Sequence, residues 1–399
     1  MARKKILCFI LCFQLVISTG CWDRVELNDR AIWLATGWDV GEKEGVEITG
    51  QIVIPSNMQT KGSGGGGGTG SEYITVSAKG INSRNALQNM QNKLSREAFF
   101  GQRRVVMYGE KFAKRGVREE IDSNTRSPDI ALRTDVFVVK GDSALKALNL
   151  TYPLEKPPAT SVLKEHEQSG GKGDTAFLEF LIAANSDGIR PTLPAIEIGY
   201  FQDEHQMAKG DLAKPILKLA GIAVFDQDLS LLGFMDMEET RDFNWIIGIL
   251  KRRTLASEIK EGNVSVILTE LTSKIIPQKV KGQQIGFTVE LSGEGELGEN
   301  NTNLDVDKLK NLQYLESEME RQAKEQIQET INKVQKKYKV DIFGFGEALY
   351  KKKPKQWKSL KKEWDGHFAE ADITVKVDFK INRIGMSGPS LLYKESEIE

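Results

Sequence analysis

Residues 373–382 read ITVKVDFKIN: Ile373, Val375, Val377, Phe379 and Ile381 alternate with Thr374, Lys376, Asp378, Lys380 and Asn382. A period of two puts the apolar side chains on one face of a strand and the polar ones on the other. Farther upstream, Ile285, Phe287, Val289 and Leu291 repeat the pattern, as do Val264, Val266 and Leu268. Between the second and third of these runs the spacing becomes helical. Over residues 305–338, Leu309, Leu312, Met319, Ala323, Ile327, Ile331 and Val334 fall on one stripe. At 1.5 Å per residue such a helix runs about 50 Å. One-faced strands beside a long amphipathic helix predict a C-terminal antiparallel sheet over residues 263–392, wet on one side and covered by the helix on the other. A heptad-like contact with a partner helix is the alternative use of the stripe.

The N-terminal half alternates instead. Residues 46–54 and 73–78 read as strands, residues 82–98 as a helix, RVVMY at 104–108 as a strand, 110–123 as a helix, DVFVVK at 135–140 as a strand and 142–148 as a capped helix. Residues 152–174, with Pro153, Pro157, Pro158 and SGGKGD, read as a loop or interdomain connection. Pro191 and Pro194 bracket another extended piece. A fresh strand pattern, LKLAGIAVFD, begins just after Pro215. The overall class is therefore mixed α/β, or α+β. An N-terminal α/β domain is expected over 21–197, a middle domain over 198–262, the sheet-plus-helix domain over 263–392 and a tail over 393–399. Residues 61–71 hold five consecutive glycines, Gly64 to Gly68, and read as a mobile loop. That run lacks the Gly-Lys-Ser/Thr of a P-loop and leads into a strand, so it is no phosphate site.

Composition narrows the function. Lys+Arg number 55 and Asp+Glu 56, for a net charge of −1, without the basic excess a nucleic-acid binder needs. All three cysteines, Cys8, Cys12 and Cys21, lie at the extreme N-terminus, so no disulfide framework or cysteine-ligated metal site can form farther on. MARKK followed by an apolar run over 6–18 has the n-region and h-region of a signal peptide, here residues 1–20. As a helix the run covers only ~20 Å, short of a ~30 Å hydrocarbon core. STG then precedes Cys21, which resembles a bacterial lipobox whose cysteine takes a diacylglycerol. Ser18 departs from that pattern, standing where Leu, Val or Ile is usual. An ordinary cleaved signal or a retained anchor would leave Cys21 an incidental thiol. On the lipid reading Cys21 carries the protein's only non-protein group. Loss of Arg3, Lys4 and Lys5 with the leader then takes the net charge to −4.

Four ordered blocks carry a family likeness: CWDRVELN at 21–28, SAKG at 77–80, GIAVFDQDLSLLGFMDMEETRDFNWIIG at 221–248 and DIFGFGEALYKKKPKQWKSLKKEW at 341–364. Together they resemble the Ger(x)C family, the C subunits of nutrient germinant receptors in endospore-forming bacteria. The resemblance implies three α/β domains and a lipoprotein on the outer face of the spore inner membrane. It also implies assembly with membrane-embedded A and B subunits, the B subunit being similar to amino-acid transporters. The family brings no catalytic residues, and only Cys21 carries over as a chemically defined site.

Enzymatic alternatives have little to stand on. His166, His205 and His367 are the only histidines and form no close metal-ligand pair. His166 and His205 read as solvated loop residues. No G-x-S-x-G elbow occurs. A cell-wall hydrolase would need two carboxylates placed across a cleft, and a solute-binding lipoprotein serving a transporter would need a pocket. The remaining candidate surface is basic: Lys351, Lys352, Lys353, Lys355, Lys358, Lys361 and Lys362 surround Trp357. If Pro354 opens a helix, Trp357, Leu360 and Trp364 share a core-facing side with the lysines around it. Such a rim is either simply solvated or meets anionic lipid or an acidic partner.

Overall fold

The computed structural model describes residues 29–54, 73–126, 133–150, 157–169, 176–201, 214–260, 262–278, 285–385, 390 and 392–399. The leader, Cys21, the glycine run and His205 lie outside these residues.

Among the described residues, the first nine strands make one sheet: β1 (Arg30–Val40), β2 (Val46–Val53), β3 (Tyr73–Gly80), β4 (Glu97–Phe99), β5 (Val105–Gly109), β6 (Asp135–Lys140), β7 (Thr192–Phe201), β8 (Lys214–Phe225) and β9 (Leu231–Met235). Its order is β3-β2-β1-β5-β6-β7-β8-β9, with the short β4 beside β1. β1, β5, β6 and β7 are parallel, and antiparallel pairs flank them. Parallel strands need crossovers, and the helices α1 (Ser83–Gln91), α2 (Glu110–Arg115), α3 (Arg118–Thr125), α4 (Ala144–Leu148), α5 (Pro158–Gln168) and α6 (Ala176–Ala184) occupy them. Val105, Met107, Phe137 and Val139 share a core with α4 and α5. Val106, Tyr108, Val136 and Val138 share the opposite one with α2, α3 and α6. Burial on both faces is why these strands read as unbroken apolar runs.

Four expectations change here, the first being that the helix expected over 82–98 stops at Gln91 and Glu97–Phe99 is a strand paired with β1. Residues 158–168 are not loop but α5, since Pro158 sits in the first turn, where its missing N–H costs nothing, and Ala159, Val162 and Leu163 recur at helical spacing and are buried. The helix expected over 110–123 is two, divided at Gly116, whose φ of +108° a side chain would resist. Among the described residues of 198–262 no separate middle sheet forms: β8 pairs with β7 from Lys214 to Val224 and β9 pairs with β8, so both extend the first sheet.

The second sheet contains β10 (Arg253–Ile259), β11 (Gly262–Gln278), β12 (Gly286–Asn300) and β13 (Asp372–Arg383) in that order. Ahead of it lies α7 (Met237–Ile246), opened by a capping box between Asp236 and Glu239. The long helix α8 (Leu309–Lys333) covers one face, then widens into a π turn, Val334–Tyr338, ending at left-handed Lys339. The mixed α/β class holds, and β10-β11-β12 is antiparallel as expected, but β13 runs parallel to β12. The connection explains it: α8 carries the chain back along the sheet, so the next strand enters from the same end as the last. Three short helices, α9 (Phe345–Lys352), α10 (Pro354–Leu360) and α11 (Trp364–Ala369), close the end of this unit. One core joins the two sheets: Ile222, Val224 and Met235 of the first belong with Phe243, Phe287, Phe343 and Ile331 of the second.

Candidate functional site at the junction of the two sheets

The junction is built on DIFGFG, residues 341–346. Asp341 is fully buried. Its Oδ1 accepts from the backbone N–H of Phe343 at 3.0 Å and of Gly344 at 2.9 Å, and its Oδ2 from Gly346 N–H at 2.8 Å and Trp364 Nε1 at 2.9 Å. Gly344 is left-handed, φ +86°, which turns successive N–H groups toward the carboxylate. Burial raises the Asp341 pKa to about 6, against the lowering effect of these donors. The carboxylate fixes the first turn of α9 to α11.

Residues 186–190, which lead into β7, dock on this nest. Arg190 N–H donates to the Asp341 carbonyl at 2.6 Å, and its guanidinium meets Asp365 Oδ2 at 2.9 Å. The backbones of Gly188 and Gly346 touch: a Cβ on Gly346 would lie 2.6 Å from the Gly188 carbonyl oxygen. Both glycines are there because nothing larger fits. Beside the contact a hollow of about 630 Å³ opens between the sheets, lined by apolar side chains that include Ile189, Met237, Ile247 and Ile275 and by Thr192, Arg241 and Lys352.

The predicted lysines lie next to this junction. Lys351, Lys352, Lys355, Lys358, Lys361 and Lys362 are exposed and Lys353 is half-buried, while Trp357 and Trp364 are buried with ring centroids 5.2 Å apart. Pro354 opens α10 as its spacing suggested. The tryptophans are thus core and the lysines rim. His166 departs from expectation: it sits on α5, its side chain only 14% exposed, edge-on to Phe137 and 4.0 Å from Asp135. Burial lowers its pKa, against an opposing pull from Glu179. His367 lies in α11, and among the described residues no three His, Cys, Asp or Glu side chains gather as a metal site would require.

Two buried clusters were missed by the sequence reading. Asp341 with Arg190 had one usable signal, an aspartate followed at three and five residues by glycine, which permits an Asx-type nest. The other, Tyr108 donating to Glu120 beside buried Arg103, gave none, because its members lie on separate elements. Burial raises the Glu120 pKa to about 7, with Tyr108 and Arg103 opposing. Asp341, Arg190, Tyr108, Glu120 and Arg103 are all buried, and Asp365 is half-buried, so both clusters hold elements together from within the protein.

Comparison with known proteins agrees along the whole chain. A family profile described as "Spore germination protein N-terminal domain" matches residues 23–198, and one described as "Spore germination B3/ GerAC like, C-terminal" matches residues 220–385. Among relatives, the chain is 26% identical over 397 residues to spore germination protein KC of Bacillus subtilis (strain 168), covering 97% of each chain. It is 24% identical over 392 residues to spore germination protein GerQC of Bacillus cereus, covering 96% of this chain and 99% of that one. The crystal structure of the GerBC protein has a similar fold, with a TM-score of 0.55 at 16% identity over 87% of this chain and 97% of that chain. With both halves matched in order and the fold shared, the chain belongs to the Ger(x)C family of spore germination proteins.

Proposed function

We propose that this chain is a lipid-anchored, non-enzymatic subunit of a spore nutrient germinant receptor. In this reading it is held through acylated Cys21 on the outer face of the spore inner membrane and works by contact with membrane-embedded A and B subunits. The observation that carries the reading is the match of both family profiles, in order, along nearly the whole chain. Two acyl chains make a firm anchor where one gives only marginal binding. Among the described residues no helix is long and apolar enough to cross a membrane.

Affinity purification from spores tests the assembly: transporter-like membrane proteins are expected to co-purify, and recovery without them counts against the reading. Anchoring is tested separately with radiolabelled palmitate. Cys21→Ala is expected to abolish labelling and release the protein from the membrane; full membrane retention and normal germination would remove the lipid from the proposal. A second reading, a lipoprotein that hands a small solute to a transporter, gains some support from the hollow between the sheets. Saturable binding of a candidate nutrient in calorimetry would favour it.

A further inference from the structure

We propose that the lysine-rich face formed by α9, α10 and the turn that follows is a docking surface for anionic lipid headgroups, which holds the tethered protein in one orientation on the membrane. This rests on the lipid-anchored reading above and adds to it a second, non-covalent contact.

Three observations carry it. The first is charge. Residues 351–362 contain seven lysines and no acid. Three of the lysines have partners: Lys351 lies 3.9 Å from Glu347, Lys353 donates to the Gln278 carbonyl at 3.0 Å and Lys361 meets Asp187 at 2.9 Å. Lys352, Lys355 and Lys358 are exposed, as is Lys362, and among the described residues the side chain of none of these four makes an ion pair or hydrogen bond. Packing does not explain them, since Trp357 and Trp364 already fill the core beneath.

The second is shape. A hollow of about 620 Å³ opens on this face, lined among others by Asp187, Tyr350, Lys351, Trp357, Lys358 and Lys361. Tyr350 is 57% exposed at its edge. An aromatic ring with a polar tip among ammonium groups is the arrangement favoured where protein meets headgroups.

The third is where the tether emerges. β1, β5, β6 and β7 are parallel, so their N-terminal ends lie at one end of the large sheet. β1 starts at Arg30, five residues ahead of Ala35, its first partner of β5, and therefore projects from that end. Residues 186–190 approach β7 at the same end, three strand spacings or about 15 Å across, and they carry α9 and α10 through Gly188 and Asp187. Seven residues separate Cys21 from Asp29, so the anchor reaches at most about 28 Å from Asp29, the residue before β1. A membrane within that reach faces the end of the molecule that bears the lysines. The remaining net charge of the processed chain is negative, so this face supplies an attraction that the rest of the surface does not.

The test uses the processed chain from residue 21 carrying Cys21→Ser, with vesicles of phosphatidylcholine alone or mixed with phosphatidylglycerol. Co-sedimentation is expected only with the anionic vesicles and should disappear at high salt. The combined change Lys352→Gln, Lys355→Gln, Lys358→Gln and Lys362→Gln should weaken it by several hundredfold, at about fivefold per lysine, with an unchanged unfolding midpoint. Lys310→Gln with Lys336→Gln, two exposed lysines elsewhere, should change it by no more than a few-fold. Equal binding to both vesicle types overturns the proposal, as does undiminished binding of the quadruple variant. Salt-sensitive capture by purified A or B subunits with the vesicles ignored also overturns it and gives the face to an acidic protein partner. Because the probe carries no acyl group, these outcomes are independent of whether Cys21 is lipidated.

Discussion

Asp341 shows how one side chain organises a region. Four N–H donors converge on its carboxylate inside the protein, and the charge they stabilise is still costly to bury, so its pKa stands at about 6 instead of near 4. A carboxyl with a raised folded pKa binds more protons folded than unfolded between those two values. Its contribution to stability is therefore greatest below about pH 4, falls as pH rises to about 6 and is flat beyond, over a range of up to about 3 kcal/mol. Asp341→Asn should abolish that component, so that the difference between the wild-type and variant stabilities, measured by urea unfolding, changes with pH only within this window and is constant above it. It should also cost roughly 2–3 kcal/mol at neutral pH, because the amide turns a donor toward N–H groups that need an acceptor. A parallel offset with no pH-dependent difference would contradict the assignment. At this scale the sequence was partly readable. Trp357 and Trp364 were placed correctly in the core, because helical spacing reports a buried face directly. His166 was not, because its burial depends on Phe137, a residue of strand β6 distant in sequence.

At the scale of elements, β13 and α8 show a device that the alternation of ITVKVDFKIN does not reveal. The outward N–H groups of this edge strand are met by side chains of the helix: Ile381 donates to Glu316 at 2.8 Å, Phe379 to Glu320 at 2.9 Å and Val375 to Gln328 at 3.2 Å. Four helical residues advance about 6.0 Å and two strand residues about 6.6 Å, so the two series stay in step. The edge is thereby closed to another strand, which protects against edge-to-edge association. Glu316→Ala, Glu320→Ala and Gln328→Ala together should cost about 1 kcal/mol each and produce concentration-dependent oligomers in light scattering; a monodisperse triple variant would argue against a protective role. The same register sets Lys324 against Val377, and lysine has no acceptor to offer. Lys324→Gln should complete the ladder and raise stability by up to about 1 kcal/mol in urea titration.

At the scale of the molecule, the two sheets are bound by a common core through Ile222, Val224 and Met235 and by the Arg190–Asp365 contact. Because apolar burial is shared, the wild type should unfold in a single calorimetric transition. Arg190→Ala, which strands the Asp365 carboxylate, should lower the midpoint by an amount equivalent to roughly 2 kcal/mol while keeping one peak; two well-separated peaks in the wild type would contradict the shared core. The sequence by itself determined the elements whose signal is local: the one-faced strands of the second sheet, the long helix, the buried tryptophans and the mixed α/β class. Periodicity records which side of a segment faces protein, and nothing beyond the segment is needed to read it. Only the tertiary structure decided that β8 and β9 extend the first sheet, that β13 runs parallel to β12 and that Arg190 meets the Asp341 nest and Asp365 across the junction. Those outcomes depend on which edge is free to pair and which charge is near enough to neutralise another, quantities fixed by residues far apart in the chain.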